Sequence, residues 1–255
     1  MRRIFRRCLA LSPETALALS LLLQLSHRDD ISEQEKAEVF ALFCGERHFA
    51  AGEEIVHEGA RPKVSLLLTE GLAARFKVLE DGGRQIAALH VPGDFLDLHG
   101  FLLKVLAHGV LALSDCTLVQ VEHEALRKLT ETSPHLARLL WLDTLIDASV
   151  HREWLVGMGR RKAIGQLAHL ICELYVRLRT VNRTDAMSFR LPVTQNELAD
   201  VLGLSIVHAN RTLRDLRKRG LIRWEGDRIH IDDWNALTEI AEFDPTYLSL
   251  QKEPR

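Results

Sequence analysis

Val207, Asn210, Arg211 and Arg214 have the side chains and the spacing to meet the edges of base pairs. They recur at steps of three, one and three along the chain, so a helix through them carries all four on one outward stripe. An arginine can pair bidentately with guanine, an asparagine amide with adenine, and an apolar group can meet a thymine methyl. Ile206 and His208 lie beside the start of the stripe. Arg217, Lys218 and Arg219 lie further back, where they reach backbone phosphates more naturally than bases. The bland alternative for such a basic face is a solvated helix with no special role.

The surrounding sequence contains the elements needed to present that stripe. Thr194 with Glu197 three residues on has the form of a capping box, which starts a short helix through Leu202 with Leu198, Ala199 and Leu202 inward. Gly203 ends it, and Ser205 is a good N-cap for the next helix. The second helix buries Ala209, Leu213 and Leu216 on the face away from the stripe, and Gly220 closes it. Leu221–Trp224 and Arg228–Ile231, joined through Glu225-Gly226-Asp227, read as a two-stranded wing. Helix, short glycine-containing turn and helix form a helix-turn-helix, whose second helix enters the major groove by its N-terminal residues. The caps, the turn, the inward triad and the wing agree, and that consistency favours DNA recognition over a merely solvated face.

Charge distribution supports the same reading. The chain of 255 residues has a formal net charge of only −2, but 14 of its 33 Lys and Arg lie between Gly157 and Ile231 against 7 Asp and Glu. That stretch is near +7 and the remainder near −9, the asymmetry expected when one domain meets phosphates. Cys8, Cys44, Cys116 and Cys172 are widely separated, with no CxxC pair, so neither a zinc site nor an iron–sulfur ligand run is indicated. No nucleophile–base pair or metal-ligand spacing supports an enzyme. Met1–Arg7 and Leu17–Leu25 mimic a signal peptide, but Pro13 and Glu14 interrupt the run and no small-residue cleavage site follows before His27–Asp30; a cytoplasmic protein is expected, with either a short N-terminal capping helix or an imperfectly chosen start codon. No apolar run approaches the roughly 20 residues of a membrane span.

The rest of the chain divides by texture. Leu17–Leu25 and Ser32–Phe43 read as helices, the second opened by a Ser32/Glu35 capping box. Between Phe49 and Val121, short apolar segments at Glu54–His57, Val64–Leu68, Leu72–Val78, Gln85–His90 and Thr117–Glu122 alternate with turn signals, as in a β-sandwich or jelly roll. Phe95–Leu106 reads as a short helix between strands. His135–Val156 is apolar on more than one stripe. One side can pack on the sandwich, and the other requires either a second subunit or the core of a monomer. Gly157-Met158-Gly159 then interrupts the helical pattern as a hinge, Arg160–Arg179 resumes an amphipathic helix, and Thr180–Ser188 is a polar loop.

From roughly Leu21 to Leu248 the sequence resembles the Crp/Fnr family of bacterial transcription regulators. The resemblance rests on VTQNELADVLGLSIVHANRTLRDLRKRGLI, preceded by a long helix and a sandwich with the turn His90-Val91-Pro92-Gly93-Asp94. It implies an α+β homodimer with a cyclic-nucleotide-binding-like jelly roll over residues 1–133 and a dimerisation helix over 134–156. A winged helix-turn-helix over 157–236 and an extension over 237–255 complete it. Carried over by position, Arg211 matches the family's base-reading arginine, and Thr194 and Gln195 match phosphate- and groove-edge positions. Ile206 and Val207 stand where the cyclic-AMP receptor subgroup has a base-reading arginine and glutamate, so a different operator is expected.

In the sensory domain the resemblance places an effector pocket at Gly93, Asp94, Phe95 and His108. Ala107-His108-Gly109-Val110 stands near the place of the family's phosphate-binding arginine. A buried phosphate without a cationic partner is heavily penalised, so the expected effector is not cyclic AMP. His90, His99 and His108 share this domain and could converge, though their spacing does not require a metal or haem, and no cofactor is expected. The expected partners are palindromic double-stranded DNA, a second copy of the chain and, if the protein activates, RNA polymerase. Two alternatives stay open: a ligand-binding domain with a helical appendage for protein contact, and a constitutive regulator with a vestigial pocket.

Overall fold

The structure is a computed structural model and describes residues 19–255, so Met1–Arg7 and Cys8 lie outside the described residues. Helices α1 (Leu19–Arg28) and α2 (Glu33–Phe40) open it. The Ser32/Glu35 capping box is formed, with Glu35 N donating to Ser32 Oγ at 3.2 Å and Ser32 N to the Glu35 carboxylate at 2.8 Å. α2 stops short of the expected Phe43 because Phe43 already pairs with Val121 as the first residue of strand β1 (Phe43–Phe49).

Strands β2 (Glu54–Val56), β3 (Val64–Glu70), β4 (Ala73–Val78), β5 (Arg84–His90), β6 (Gly109–Ala112) and β7 (Cys116–Glu122) complete two antiparallel sheets. Their orders are β1-β7-β3 and β2-β6-β4-β5. The five expected strands are present within two residues at each end. β1 and β6 were not expected: β1 is largely exposed and interrupted by Gly45, and β6 is four residues long, so neither carries a period-two apolar signal.

The expected helix Phe95–Leu106 is mostly not helical. Only α3 (Gly100–Leu103) forms, because the residues before it are held extended beside β3. Leu68 N donates to Asp94 O at 2.9 Å, Leu96 N to Leu66 O at 2.9 Å, and Leu66 N to Asp97 Oδ1 at 2.7 Å. The apolar residues there fill the sandwich, with Leu96 and Leu106 fully buried, rather than one helix face.

After α4 (His123–Thr132), the long helix α5 runs unbroken over Pro134–Arg160. The expected interruption at Gly157–Gly159 is therefore corrected: glycine relaxes backbone sterics without forcing the chain out of the helical region. The break falls at Arg161 and Lys162, whose backbones are extended at φ −71°, ψ 146° and φ −64°, ψ 150°. Helix α6 (Ala163–Thr180) follows, and the expected polar loop supplies strands β8 (Thr184–Asp185) and β9 (Ser188–Arg190). Next come α7 (Gln195–Leu202), α8 (Ile206–Lys218), β10 (Ile222–Glu225), β11 (Arg228–Ile231), α9 (Trp234–Ala241) and a 3-10 turn at Pro245–Leu248. The wing is four-stranded, in the order β10-β11-β9-β8, rather than two-stranded, because Phe189 pairs with Ile229 and fills the core beneath it.

One apolar core joins the two halves. Leu72, Leu89 and Leu113 of the sandwich pack in the same cluster as Ile146, Val150 and Trp154 of α5, most of α6, and Leu198, Ala209 and Leu216 of the helix-turn-helix. Within it Glu173 of α6 is fully buried. Its carboxylate accepts from Trp154 Nε1 at 3.1 Å, Arg177 Nη1 at 3.1 Å and Tyr247 Oη at 2.8 Å. Arg177 Nη2 reaches on to Asp94 Oδ2 at 2.6 Å.

Gly93 turns the chain into this junction at φ +100°, and a Cβ there would lie 2.8 Å from Gln24 Nε2 and 3.0 Å from Ser20 O of α1. Its place in the sequence follows from close backbone packing. Gly93→Ala combines left-handed strain with overpacking, so it is expected to lower stability by about 2–4 kcal/mol in urea unfolding. A loss below about 0.5 kcal/mol would show that α1 does not pack here.

Candidate nucleic-acid interface

Helix α7 begins as expected. Glu197 N donates to Thr194 Oγ1 at 3.2 Å, while the Glu197 carboxylate accepts from Thr194 N at 2.7 Å and Thr194 Oγ1 at 2.9 Å. The threonine hydroxyl is thus committed to the cap, which leaves the exposed Gln195 as the freer group at this helix start. Gly203 takes the left-handed conformation at φ 61° and ends the helix. Ser205 caps α8, its Oγ accepting from His208 N at 3.3 Å.

α8 buries Ala209, Thr212 and Leu216, with Leu213 half-buried. Thr212 was not expected inside; its hydroxyl is satisfied by His208 O at 2.9 Å, which makes burial inexpensive. On the other face Ile206 is 44% and Val207 77% exposed, and Arg211, Arg214, Arg217 and Lys218 are exposed. Among the described residues none of these four cations has a carboxylate partner, whereas Arg190 and Arg223 of the wing pair with Asp227 and Asp232. His208 and Asn210 are half-buried beside the stripe. Asn210 Nδ2 donates to Gln195 Oε1 at 2.8 Å, a tie between the two helices of the motif that the sequence did not reveal. It leaves the Asn210 carbonyl and the Gln195 amide N–H groups free to face a ligand.

The motif sits on the sensory domain. Arg84 of β5 pairs with Asp200 of α7 at 2.8 Å, and Gln85 Nε2 donates to Asp200 O at 2.7 Å. The β4–β5 hairpin thereby holds the back of the helix-turn-helix and leaves the stripe on α8 open.

Of the four residues expected to form an effector pocket, Asp94 and Phe95 line one small cavity beside α5 and α6, and Gly93 and His108 do not. Gly93 packs on α1. Asp94 accepts from Val91 N at 2.8 Å, Gln24 Nε2 at 3.0 Å and Arg177. Phe95 is buried and bridges to Leu67 of β3. His108 lies elsewhere, its ring 5.1 Å from that of His99, beside a charged cluster that the sequence did not disclose. There the buried Arg75 of β4 donates to Leu96 O at 3.0 Å and pairs with Asp147 of α5 at 2.9 Å, with His151 Nε2 3.4 Å away. The side chains came from a strand and a helix over 70 residues apart, with no local pattern to mark them.

Electrostatics around Arg75 are uneven. Burial, reinforced by Arg75, lowers the pKa of His99 to about 4 and of His108 to about 3, and holds that of the buried His90 well below its usual value. Asp147, which burial would push up, is held down at about 2, chiefly by Arg75. His90, His99 and His108 are therefore neutral near pH 7, and among the described residues each keeps an Nε2 without a partner. Among the described residues no group of three or more His, Cys, Asp or Glu is arranged to hold a metal, and no helix is long and apolar enough to cross a membrane.

Comparisons with known proteins agree with this architecture. Residues 165–240 match the Crp-like helix-turn-helix domain family, and residues 46–133 match the cyclic nucleotide-binding domain family. The chain is 31% identical over 195 residues to a probable transcriptional activator of Rhizobium leguminosarum, covering 75% of this chain and 79% of that one. It is 29% identical over 199 residues to the transcriptional activator protein FnrL of Cereibacter sphaeroides, covering 76% and 79%. The solved structure of FixK2 from Bradyrhizobium japonicum superposes with a TM-score of 0.70 at 25% identity, covering 77% of this chain and 96% of that one. With both domains matched in order and the helix-turn-helix formed, the chain belongs to the Crp/Fnr family of DNA-binding transcription regulators.

Proposed function

We propose that the protein acts in the cytoplasm as a homodimer, reading a two-fold symmetric operator with two copies of α8, and that its sensory domain responds to something other than cyclic AMP. The observation that carries this reading is the open stripe of α8, which combines apolar Ile206 and Val207 with Arg211 and Arg214, neither of which has a carboxylate partner among the described residues. Arg211 suits a guanine and the Asn210 carbonyl a base amino group, while Gln195 and Lys218 suit the groove edge and a phosphate. Ser205 and Thr194 serve chiefly by fixing the helix starts.

Dimerisation is supported by α5. Its inner face, through Leu139, Ile146, Val150 and Trp154, is buried in the chain's own core. On the outer face Trp141 is 65%, Leu145 48% and Leu155 67% exposed, and with Ala148 they follow coiled-coil spacing. A monomer rarely exposes such a stripe, and the same stripe on a second copy covers it self-complementarily. Against cyclic AMP stands the state of Arg75: it is the buried cation near the expected phosphate site, but Asp147 of α5 already neutralises it. Contact with RNA polymerase is the corresponding partner if the protein activates.

Selection from a random duplex pool is expected to return a two-fold symmetric site. Arg211→Ala should weaken binding to it by about 1–3 kcal/mol and relax one base position per half-site; unchanged affinity and base preference would falsify the assignment of α8. Trp141→Glu with Leu145→Glu should convert the dimer to a monomer in sedimentation and abolish tight binding to the full site. A dimer surviving both changes would place the interface elsewhere.

The neutral histidines give a pH test. Below about pH 6.5 the unfolded chain takes up protons that His90, His99 and His108 refuse in the folded state, so their contribution is full above that pH and is lost on acidification. The urea midpoint should fall between about pH 7 and about pH 4.5, and His99→Gln with His108→Gln should make the fall shallower. Parallel curves for the two proteins would show that these rings are solvated.

A further inference from the structure

The chain continues past the matched helix-turn-helix segment, which ends at residue 240, and returns across the molecule. Asp244 caps the 3-10 turn by accepting from Thr246 N at 2.9 Å. Tyr247 stacks on His169 of α6, ring centroids 5.8 Å apart, and donates to the buried Glu173. Leu248 is 2% exposed, and with Leu250 it closes one side of a small cavity lined also by Arg28, Ile146 and Arg177.

Beyond it Lys252 pairs with Asp30. Glu253 N donates to Arg28 O at 3.0 Å, Arg255 N donates to Asp29 Oδ2 at 2.6 Å, and Arg138 Nη2 of α5 donates to Arg255 O at 3.0 Å. Residues 244–255 thus touch the head through α6, the long helix α5, and the sensory side through α1 and the turn after it. Those N-terminal contact residues also lie outside the matched cyclic-nucleotide-binding segment, which starts at residue 46.

We propose that residues 244–255 form a strap that fixes the helix-turn-helix head against the sensory domain and presents it to DNA in one orientation. The strap ties α1 and α5 to α6, adding to the core contacts and the Trp154–Glu173 bond that join α5 to the head across the extended residues Arg161 and Lys162. Its contacts use other residues than the Arg84–Asp200 and Arg177–Asp94 pairs, so it is a further tie between head and sensor. With these contacts made, the α8 stripe remains exposed, so the strapped form is one that can meet DNA. A head freed from the strap spends only part of its time so oriented, and apparent affinity falls by that fraction.

The test uses the full chain with spin labels on the exposed Cys44 of the sandwich and on Glu225→Cys in the wing, Cys8 replaced by Ser, diluted with unlabelled protein. Leu248→Ala is expected to broaden the sandwich–wing distance distribution and to weaken operator binding roughly threefold to tenfold, with helical content retained. Tyr247→Phe, which keeps the ring but loses the hydroxyl to Glu173, should broaden it less, and it carries the comparison if Leu248→Ala does not fold. Arg211→Ala should weaken binding without altering the distances, which separates loss of base contact from loss of orientation. A distribution as narrow as the parent's in both strap variants would overturn the proposal. So would tighter operator binding on loosening, because the strap would then restrain the head instead of presenting it.

Discussion

A carboxylate sealed from water inside an apolar core is tenable only if donors surround it, and Glu173 collects its donors from three different parts of the chain. Arg177 comes from the next turn of α6, Trp154 from α5 and Tyr247 from the segment after α9, while the other arm of Arg177 reaches Asp94 of the sandwich. Burial pushes the Glu173 pKa up, and its three donors oppose that rise. Removing one partner of such a group leaves a buried charge or an unmet donor, which typically costs several kcal/mol, so the four elements are constrained to arrive together. The relative placement of sensor, long helix and head depends on this junction more than on the short link at Arg161 and Lys162.

That constraint gives the family's sensing segment a different use in this protein. Asp94 follows the Gly93 turn, where the resemblance places an effector contact, yet its oxygens are engaged by Val91 N, Gln24 and Arg177. A second buried ion pair, Arg75 with Asp147, again links a strand to α5. The Asp94–Arg177 pair thus runs from the sandwich to α6, and the Arg75–Asp147 pair from the sandwich to α5.

The recognition face works by the opposite principle. Charge on the wing and on the back of the motif is locally compensated: Arg190 by Asp227, Arg223 by Asp232, and Asp200 by Arg84 of the hairpin. The outward cations of α8 have no carboxylate partner among the described residues, so the positive field of the head concentrates on the stripe that also bears Ile206 and Val207. Rigid placement of that stripe comes from buried contacts of Ala209, Thr212 and Leu216 and from the Gln195–Asn210 hydrogen bond, and specificity comes from what stays exposed.

The helix-turn-helix was legible because each of its devices is local. A capping box spans three residues, a left-handed glycine needs only its own φ, and an inward face repeats every three or four positions. Thr194, Gly203, Ser205 and the outward side chains could therefore be placed from sequence alone. The same locality located five strands of the sandwich and the long helix, but misjudged Gly157–Gly159, since a glycine permits a break without enforcing one. It also missed β1 and β6, which carry no periodic apolar signal, and read one helix into Phe95–Leu106, whose apolar residues answer to separate partners. Arg75 with Asp147, Asp94 with Arg177, and Tyr247 with Glu173 lie more than 70 residues apart in each case. No local rule links them; only the folded core brings them close and removes the water that would otherwise make their pairing unnecessary.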